Sequence, residues 1–124
     1  MQTQFIEQPI AQSISDIRLS LLIDSIRENL DKAHSIDDLA NQICISRRTF
    51  TRLFKKTTGM SFNEWLIHER IRFAQMFLET TSHSIETISA QCGFNSSTAL
   101  RKQFQQQLGI SPSNYRQTFK IQRY

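Results

Sequence analysis

Apolar residues recur every three or four positions along most of the chain, which is the spacing of one face of an α-helix. The first such segment predicts a helix over residues 16–31, whose inward face would carry five apolar side chains: Ile17, Leu21, Leu22, Ile26 and Leu30. Residues 1–15 lack this period, and Pro9 has no backbone N–H to give to a helix. We therefore expect a linker or tail there, with Ser15 as the N-cap of the first helix.

Serine and glycine residues indicate where the remaining helices begin and end. A serine hydroxyl commonly accepts a hydrogen bond from the first turn of a helix, and a glycine commonly follows the last turn. A serine precedes each further apolar-periodic segment: Ser35, Ser46, Ser61, Ser84, Ser96 and Ser111. Gly59, Gly93 and Gly109 follow three of these segments, and Pro112 occupies the favoured first position of the last. The pattern predicts an all-α chain of about seven helices.

The chain contains an internal repeat. The segment SIDDLANQICIS, which begins at Ser35, matches SIETISAQCGFN, which begins at Ser84, at an offset of 49 residues. One extra residue enters at the following turn, so the later matches have an offset of 50. These later pairs are Phe50 with Leu100, Phe54 with Phe104, Gly59 with Gly109, and Trp65 with Tyr115.

The repeat predicts the domain organisation. Each copy consists of a short helix, a tight turn and a second helix, which is the helix-turn-helix pattern. We expect a first subdomain over residues 16–60, a connecting helix over 61–80 and a second subdomain over 81–124. The expected fold is therefore all-α and homeodomain-like, with two helix-turn-helix subdomains joined by a long connecting helix.

The charge of the chain is unevenly distributed. Its 124 residues include 15 Lys and Arg against 11 Asp and Glu, a net charge of +4. Residues 1–45 hold three basic and seven acidic residues, whereas residues 46–124 hold 12 basic and four acidic ones. Such asymmetry favours a polyanionic partner for the later part of the chain.

Composition disfavours several other classes of protein. No apolar run approaches the ~18 residues of a membrane span, and two cysteines are too few for a disulfide scaffold or a four-cysteine zinc site. We expect Cys44 and Cys92 to behave as small buried side chains. The three histidines, His34, His68 and His83, lie in separate segments, and no phosphate-binding loop or nucleophile motif is present. We therefore expect no enzyme activity, no cofactor and no metal site.

The motifs taken together resemble the DNA-binding domain of the AraC/XylS family of bacterial transcription regulators. The resemblance covers residues 16–119 and rests on three stretches: ISRRTFTRLFKKTTGMSFNEWL, RIRFAQMFLETTSHSIETISAQCGF and STALRKQFQQQLGISPSNYR. One departure is the first turn, where Cys44 stands at a position at which the family often has glycine. Because a non-glycine residue in a left-handed turn costs on the order of 1 kcal/mol, we expect this turn to be slightly reshaped.

The resemblance implies sequence-specific binding to double-stranded DNA of a promoter or operator. Residues 47–58 and 97–108 would be recognition helices placed in successive major grooves, which recur about 34 Å apart. A connecting helix of about 18 residues would be roughly 27 Å long, which is compatible with that spacing. The alternative is a helical protein-interaction module that has kept the fold and lost DNA recognition.

The family pattern and the helical period select the same candidate contact residues. Those expected to contact bases are Arg48, Thr51, Arg52, Thr98, Ala99 and Lys102. Those expected to contact phosphates are Ser46, Arg47, Lys55, Lys56, Ser96, Ser97, Arg101, Ser111 and Arg116. For Ser46, Ser96 and Ser111, helix capping alone explains the residue equally well.

The N-terminal segment suggests further partners. QFIEQPI resembles the segment that joins an amidase-like domain to the DNA-binding domain in one branch of this family. We therefore expect the chain to be the C-terminal part of a larger cytoplasmic, nucleoid-associated regulator with an N-terminal effector domain. RNA polymerase is the further partner that this class implies.

Overall fold

The computed structural model describes residues 2–122, with side chains from Ile14 to Lys120, as helices joined by short turns. The helices are α1 (Gln2–Arg27), α2 (Ile36–Gln42), α3 (Arg47–Thr58), α4 (Phe62–Thr80), α5 (Ile85–Gln91), α6 (Ser97–Leu108) and α7 (Pro112–Gln122). Residues 2–122 contain no strand. The predicted all-α fold with two helix-turn-helix copies is confirmed, the copies being α2–α3 and α5–α6.

The chain forms two compact units. The first comprises the residues up to Asn29 together with His34–Phe62. The second comprises the short segment Leu30–Ala33 and the residues from Asn63 onward. Each unit therefore contains one complete helix-turn-helix copy.

Three aromatic rings form the centre of the first unit. Phe50 and Phe54, one turn apart on α3, stack with their centroids 5.6 Å apart, and Phe62 meets them edge-on at 6.0 and 5.5 Å. The buried apolar residues of α1, α2 and the turn after α2 belong to the same unit: Leu19, Leu22, Ile23, Ile26, Leu39, Ala40 and Ile43. Burial of Phe50 and Phe54 fixes which face of α3 points inward, so the opposite face is exposed.

The second unit has an equivalent core. Its buried cluster draws on α4, α5 with the residue after it, and α6: Ile71, Ala74, Leu78, Ile88, Cys92, Leu100 and Phe104. Tyr115 of α7 packs edge-on against Phe104, and its hydroxyl donates a 2.5 Å hydrogen bond to Glu79 of α4. Burial, followed by the hydrogen bond to Glu79, raises the pKa of Tyr115. These contacts fasten α7 to α4.

The predicted serine caps of α2, α3, α5 and α6 are confirmed. The hydroxyl oxygens of Ser35, Ser46, Ser84 and Ser96 each accept a hydrogen bond from the backbone N–H three residues later. Gly59 and Gly109 adopt the left-handed conformation at the ends of α3 and α6. The helix boundaries from Ser35 onward therefore follow from local chemistry.

The two helix-turn-helix turns share two of their backbone hydrogen bonds and differ in a third. The N–H of Ile43 donates to Ala40, three residues earlier, whereas that of its counterpart Cys92 donates to Ile88, four residues earlier. Cys44 and Gly93 occupy equivalent positions, with φ angles of 61° and 89°. The N–H of Cys44 donates to Asn41, and that of Gly93 donates to Ala90, which is the equivalent carbonyl. The next N–H of each turn bonds to Ala40 in the first unit and to Ser89 in the second. The first turn therefore differs slightly from the second, as expected, while Cys44 still adopts the left-handed conformation that glycine would.

Three expectations for the N-terminal part are wrong. Helix α1 begins at Gln2 and continues through Pro9, so residues 2–15 are helical and Ser15 lies inside the helix. A proline removes one hydrogen bond from a helix, but the glutamine and alanine residues around it favour helix formation. Ile17 and Leu21 are 57% and 63% exposed, because the buried face of α1 is instead formed by its neighbours Leu19, Leu22, Ile23 and Ile26.

Two further observations concern the cysteines and the membrane. Cys92 is buried as expected, whereas Cys44 is exposed, because the left-handed turn directs it away from the core of its unit. None of the helices in the described part of the chain combines the length and apolar character that a membrane crossing needs.

Candidate nucleic-acid interface

The outer face of α3 is a continuous basic surface. It is lined by six exposed side chains: Arg47, Arg48, Thr51, Arg52, Lys55 and Lys56. These residues lie opposite Phe50 and Phe54, whose burial directs them to solvent. Five of the six are cationic, so the surface is suited to a polyanion.

Arg48, Thr51 and Arg52 lie at i, i+3 and i+4, so their side chains share one face of α3. The Thr51 hydroxyl donates to the carbonyl oxygen of Arg47 at 3.0 Å, which leaves the methyl group and the oxygen lone pairs for an external contact. Arg48 and Arg52 make no hydrogen bond or ion pair within residues 14–120. Their guanidinium groups are available to a partner.

The outer face of α6 is less basic. Thr98 and Lys102 are exposed and lie at the positions that correspond to Arg48 and Arg52 at an offset of 50 residues. Ala99 is half-buried, as is its counterpart Thr49, and its N–H donates to Ser96. Exposed Arg101, rather than Ala99, corresponds to Thr51. The repeat offset, which is visible in the sequence, is the signal that could have predicted Arg101 on this face.

The serines predicted to contact phosphates lie at helix N-termini. Ser46 and Ser96 cap α3 and α6, and the Ser111 hydroxyl accepts the N–H of Asn114 in α7. Ser97, the first residue of α6, accepts a hydrogen bond from Arg101 at 3.1 Å. Each of these hydroxyl groups already has a partner within the chain, while the amides of the first turns of α3 and α6 add partial positive charge.

Two arginines of the predicted phosphate set are ion-paired. Arg47 lies 3.0 Å from Asp37 of α2, and Arg101 lies 3.8 Å from Glu86 of α5. Lys55 and Lys56, in the last turn of α3, are exposed.

Arg116 has a different environment from the other predicted phosphate contacts. Its guanidinium donates to the carbonyl oxygens of His83, Thr81 and Leu78 at 2.7, 3.1 and 3.4 Å. These carbonyls lie at and just beyond the C-terminal end of α4, where a cation is favourable. The structure therefore gives Arg116 an internal role that its place in the sequence did not indicate.

No three His, Cys, Asp or Glu side chains among the described residues are grouped so that they could hold a metal ion. What the structure presents instead is two helix-turn-helix units whose second helices carry basic outer faces. This arrangement defines a DNA-binding domain of the tandem helix-turn-helix class.

Comparison with known proteins identifies the family. Residues 39–118 match a family described as a helix-turn-helix domain, and the chain belongs to the AraC family of transcription regulators. It is 36% identical over 87 residues to the HTH-type transcriptional regulator Rv1931c of Mycobacterium tuberculosis, a match that covers 70% of this chain and 34% of that protein. It is 29% identical over 102 residues to the HTH-type transcriptional activator RhaR of Yersinia pseudotuberculosis, covering 82% and 35%. The chain thus spans about a third of the length of these relatives.

Solved structures share the fold over most of the chain. The DNA-binding domain of AdpA, a global transcriptional factor solved in complex with a target DNA, superimposes with a TM-score of 0.81 at 38% identity, covering 85% of this chain and 95% of that one. An AraC-type transcriptional regulator from Chromobacterium violaceum gives a TM-score of 0.77 at 28% identity, covering 85% and 94%.

Proposed function

We propose that the chain is the module of a bacterial transcription regulator that binds double-stranded DNA sequence-specifically, with α3 and α6 as recognition helices in successive major grooves. The observation that carries the proposal is the outer face of α3, where five cations share one exposed surface. The complex of the related AdpA domain with a target DNA supports the same partner.

The side chains of α3 suit guanine recognition. An arginine fork can donate two hydrogen bonds to O6 and N7 of guanine, which discriminates by about 1–3 kcal/mol against another base. Arg48 and Arg52 are exposed and make no internal polar contact within residues 14–120. Thr51 keeps its methyl group outward for contact with a thymine methyl. Arg47, Lys55 and Lys56 would bind phosphates, which position the protein without reading sequence.

The side chains of α6 suit weaker discrimination. Thr98 offers a methyl group and a hydroxyl, and Lys102 would reach a guanine or a phosphate. Ala99 would contact a base only through its small exposed portion, whereas Arg101 lies on the outer face. Because α3 and α6 differ in every one of these positions, we expect an asymmetric site rather than a palindrome.

Selection of duplexes from a random pool, followed by titration in graded salt, tests the proposal. We expect one asymmetric sequence to be enriched, and its affinity to fall steeply as salt rises, with a slope set by the number of phosphates neutralised. A scrambled duplex of the same length and base composition is the control. Equal affinity for both duplexes would reject sequence-specific binding and favour a protein-interaction module of the same fold.

The partners beyond DNA are part of the same proposal. We propose that this module belongs to a longer regulator, with an amidase-like effector domain before it, acting in the cytoplasm on the nucleoid and on RNA polymerase. The support is the QFIEQPI segment and the greater length of the relatives. The genomic sequence upstream of Met1 tests the effector domain directly.

A further inference from the structure

The two units carry an acidic residue at equivalent positions of their short helices. Asp37 in α2 corresponds to Glu86 in α5 at an offset of 49 residues. Asp37 forms an ion pair with Arg47, the first residue of α3, with a 3.0 Å separation between Oδ1 and Nη1. Glu86 approaches Arg101 of α6 at 3.8 Å. In both units, therefore, a carboxylate of the short helix faces an arginine of the recognition helix.

Stability does not account for these pairs. The side chains of Asp37 and Arg47 are 67% and 62% exposed, and those of Glu86 and Arg101 are 71% and 48% exposed. Ion pairs with this exposure contribute little to folding, because water and salt screen them. Their main effect is on the electrostatic field of the face that carries the recognition helix.

The position of the carboxylates explains what that effect is. In a helix-turn-helix the first helix crosses the DNA backbone while the second enters the major groove. A carboxylate on the first helix therefore competes with DNA phosphates for any arginine near it. The consequence is proportionally larger in the second unit, because Arg101 is one of two cations on α6, whereas Arg47 is one of five on α3.

We propose that Asp37 and Glu86 are positioning residues that lower the sequence-independent affinity for DNA, each by holding an arginine that would otherwise bind a phosphate. The proposal rests on the proposed DNA-binding function. Because a genome offers roughly 10⁶–10⁹ competing non-specific sites, a reduction in phosphate affinity shortens the time spent on wrong sequences.

The chain offers a matched control for Asp37. Asp38 is its neighbour in the same first turn of α2 and is also exposed, yet it makes no ion pair within residues 14–120. Asp37→Asn and Asp38→Asn remove the same charge from the same helix, so a difference between them reports the pairing with Arg47. Asp37→Glu keeps the charge and restores the pair through a longer side chain.

The experiment measures the affinity of each variant for a random-sequence duplex and for the selected duplex between 50 and 300 mM salt. One more phosphate contact adds about 0.9 to the slope of log K against log salt. We therefore expect Asp37→Asn to bind the random duplex about 3- to 10-fold more tightly at 0.1 M salt, with a slope steeper by about 1. Asp38→Asn should change affinity less than about 2-fold with an unchanged slope, since exposed charges are screened. Asp37→Glu should behave as wild type.

Two further variants complete the test. Adding Arg47→Ala to Asp37→Asn should abolish the gain, because the gain requires the released arginine. Glu86→Gln should repeat the effect of Asp37→Asn in the second unit. Thermal unfolding of every variant verifies that the fold is intact.

The outcomes separate this inference from the proposed function. If wild type prefers the selected duplex and Asp37→Asn equals Asp38→Asn or binds more weakly than wild type, the inference is wrong and DNA recognition stands. If wild type shows no preference between the duplexes but the salt slopes of Asp37→Asn and Asp38→Asn differ as expected, the positioning role stands and sequence-specific recognition is rejected. If wild type binds no duplex, both are rejected.

Discussion

The backbone of Gly93 lies directly against the carbonyl oxygen of Leu30. A Cβ atom added at Gly93 would overlap that oxygen and lie 2.8 Å from Nε of Arg70. Arg70 itself donates to the carbonyl oxygens of Leu30 and Lys32 at 3.1 and 3.0 Å. The guanidinium group of Arg70 therefore lies where the turn between α5 and α6 meets the segment Leu30–Ala33. Only glycine fits at position 93, because any Cβ atom there would overlap these groups.

This contact predicts a ranking of three glycine substitutions. Gly59, Gly93 and Gly109 all have positive φ angles, but a Cβ at Gly59 or Gly109 would meet nothing within 4 Å. We expect Gly59→Ala and Gly109→Ala to lose about 1 kcal/mol each from backbone strain. Gly93→Ala should lose about 2–4 kcal/mol, because overpacking is added to the strain. Urea unfolding measures the three values, and equal losses at all three positions would contradict the close approach.

The equivalent turn of the first unit predicts a gain in stability. Cys44 holds a left-handed conformation, with φ of 61°, that costs a side chain about 1–2 kcal/mol. Glycine would remove that cost. The greater conformational freedom of glycine in the unfolded chain would cancel about 0.5–1 kcal/mol of the resulting gain in stability. We expect Cys44→Gly to be more stable by about 0.5–1 kcal/mol in urea unfolding. Cys44→Ala keeps the strain, so it should match wild type; a similar gain in that variant would assign the effect to the thiol.

Substitution of Arg116 distinguishes an internal role from a phosphate contact. Its three hydrogen bonds to Leu78, Thr81 and His83 involve a charged donor, and each such bond contributes about 1.5–3 kcal/mol. We expect Arg116→Ala to lower the free energy of unfolding by about 2–4 kcal/mol in total, less than the sum of three such bonds, because the bond to Leu78 is long and Arg116 is only half-buried. The salt slope of DNA binding should stay unchanged. Arg116→Lys is the comparison, because it keeps the positive charge but not the forked guanidinium group. A salt slope that becomes shallower in Arg116→Ala but not in Arg116→Lys would instead identify a phosphate contact.

Substitutions of two residues of α3 should weaken DNA binding in different ways. Arg52 lies on the face of α3 that carries Arg48 and Thr51, whereas Lys56 lies in the last turn. We expect Arg52→Ala to lose about 1–3 kcal/mol on the selected duplex and to relax the preference at one base pair. Lys56→Ala should weaken binding to all sequences alike and reduce the salt slope by about 1. Binding to single-base variants of the selected duplex separates the two patterns, and identical losses on every sequence would show that Arg52 reads no base.

The buried thiol of Cys92 predicts a loss of stability in alkali. Burial raises the pKa of Cys92 from 9.0 to about 12, although nearby Arg70 acts in the opposite direction. Above pH 9 the thiol of the unfolded chain releases its proton while the folded chain retains it, so the unfolded state is favoured. Between pH 9 and 12 the contribution of Cys92 to the free energy of unfolding should therefore decline, by at most about 1.4 kcal/mol per pH unit.

Cys92→Ala provides the comparison, because other groups also titrate in this range. The difference in unfolding free energy between wild type and Cys92→Ala should shrink as pH rises from 9 to 12. A constant difference across this range would mean that the Cys92 thiol ionises as readily in the folded chain as in the unfolded one.

Local chemistry explains why most of the fold could be predicted from the sequence. Ser46 and Gly59 define α3 as Arg47–Thr58, and Ser96 and Gly109 define α6 as Ser97–Leu108, because caps act within a few residues. The orientation of α1 could not be predicted in the same way. Apolar residues lie on more than one of its faces, and only tertiary packing decides that Leu19 is buried while Ile17 is exposed.

The candidate site was predictable to a similar degree. The basic outer face of α3 follows from the burial of Phe50 and Phe54 at helical spacing. The separate environments of Arg47, Arg101 and Arg116 could not be read from the sequence. Their partners are 10, 15 and more than 30 residues away in the chain, respectively, and only the fold brings them together. The DNA contacts of individual residues stay predictions.

The left-handed turn at Cys44 also has a consequence for spectroscopy. The sequence holds two cysteines; Cys92 is buried and keeps its proton, while Cys44 is exposed two residues before Ser46, the N-cap of α3. Because the thiolate is the reactive species, a maleimide dye at neutral pH would attach at Cys44 and leave Cys92 unmodified. The unaltered sequence therefore provides an attachment point for a fluorophore in the turn just before α3, where a change in emission would report the binding and release of a duplex.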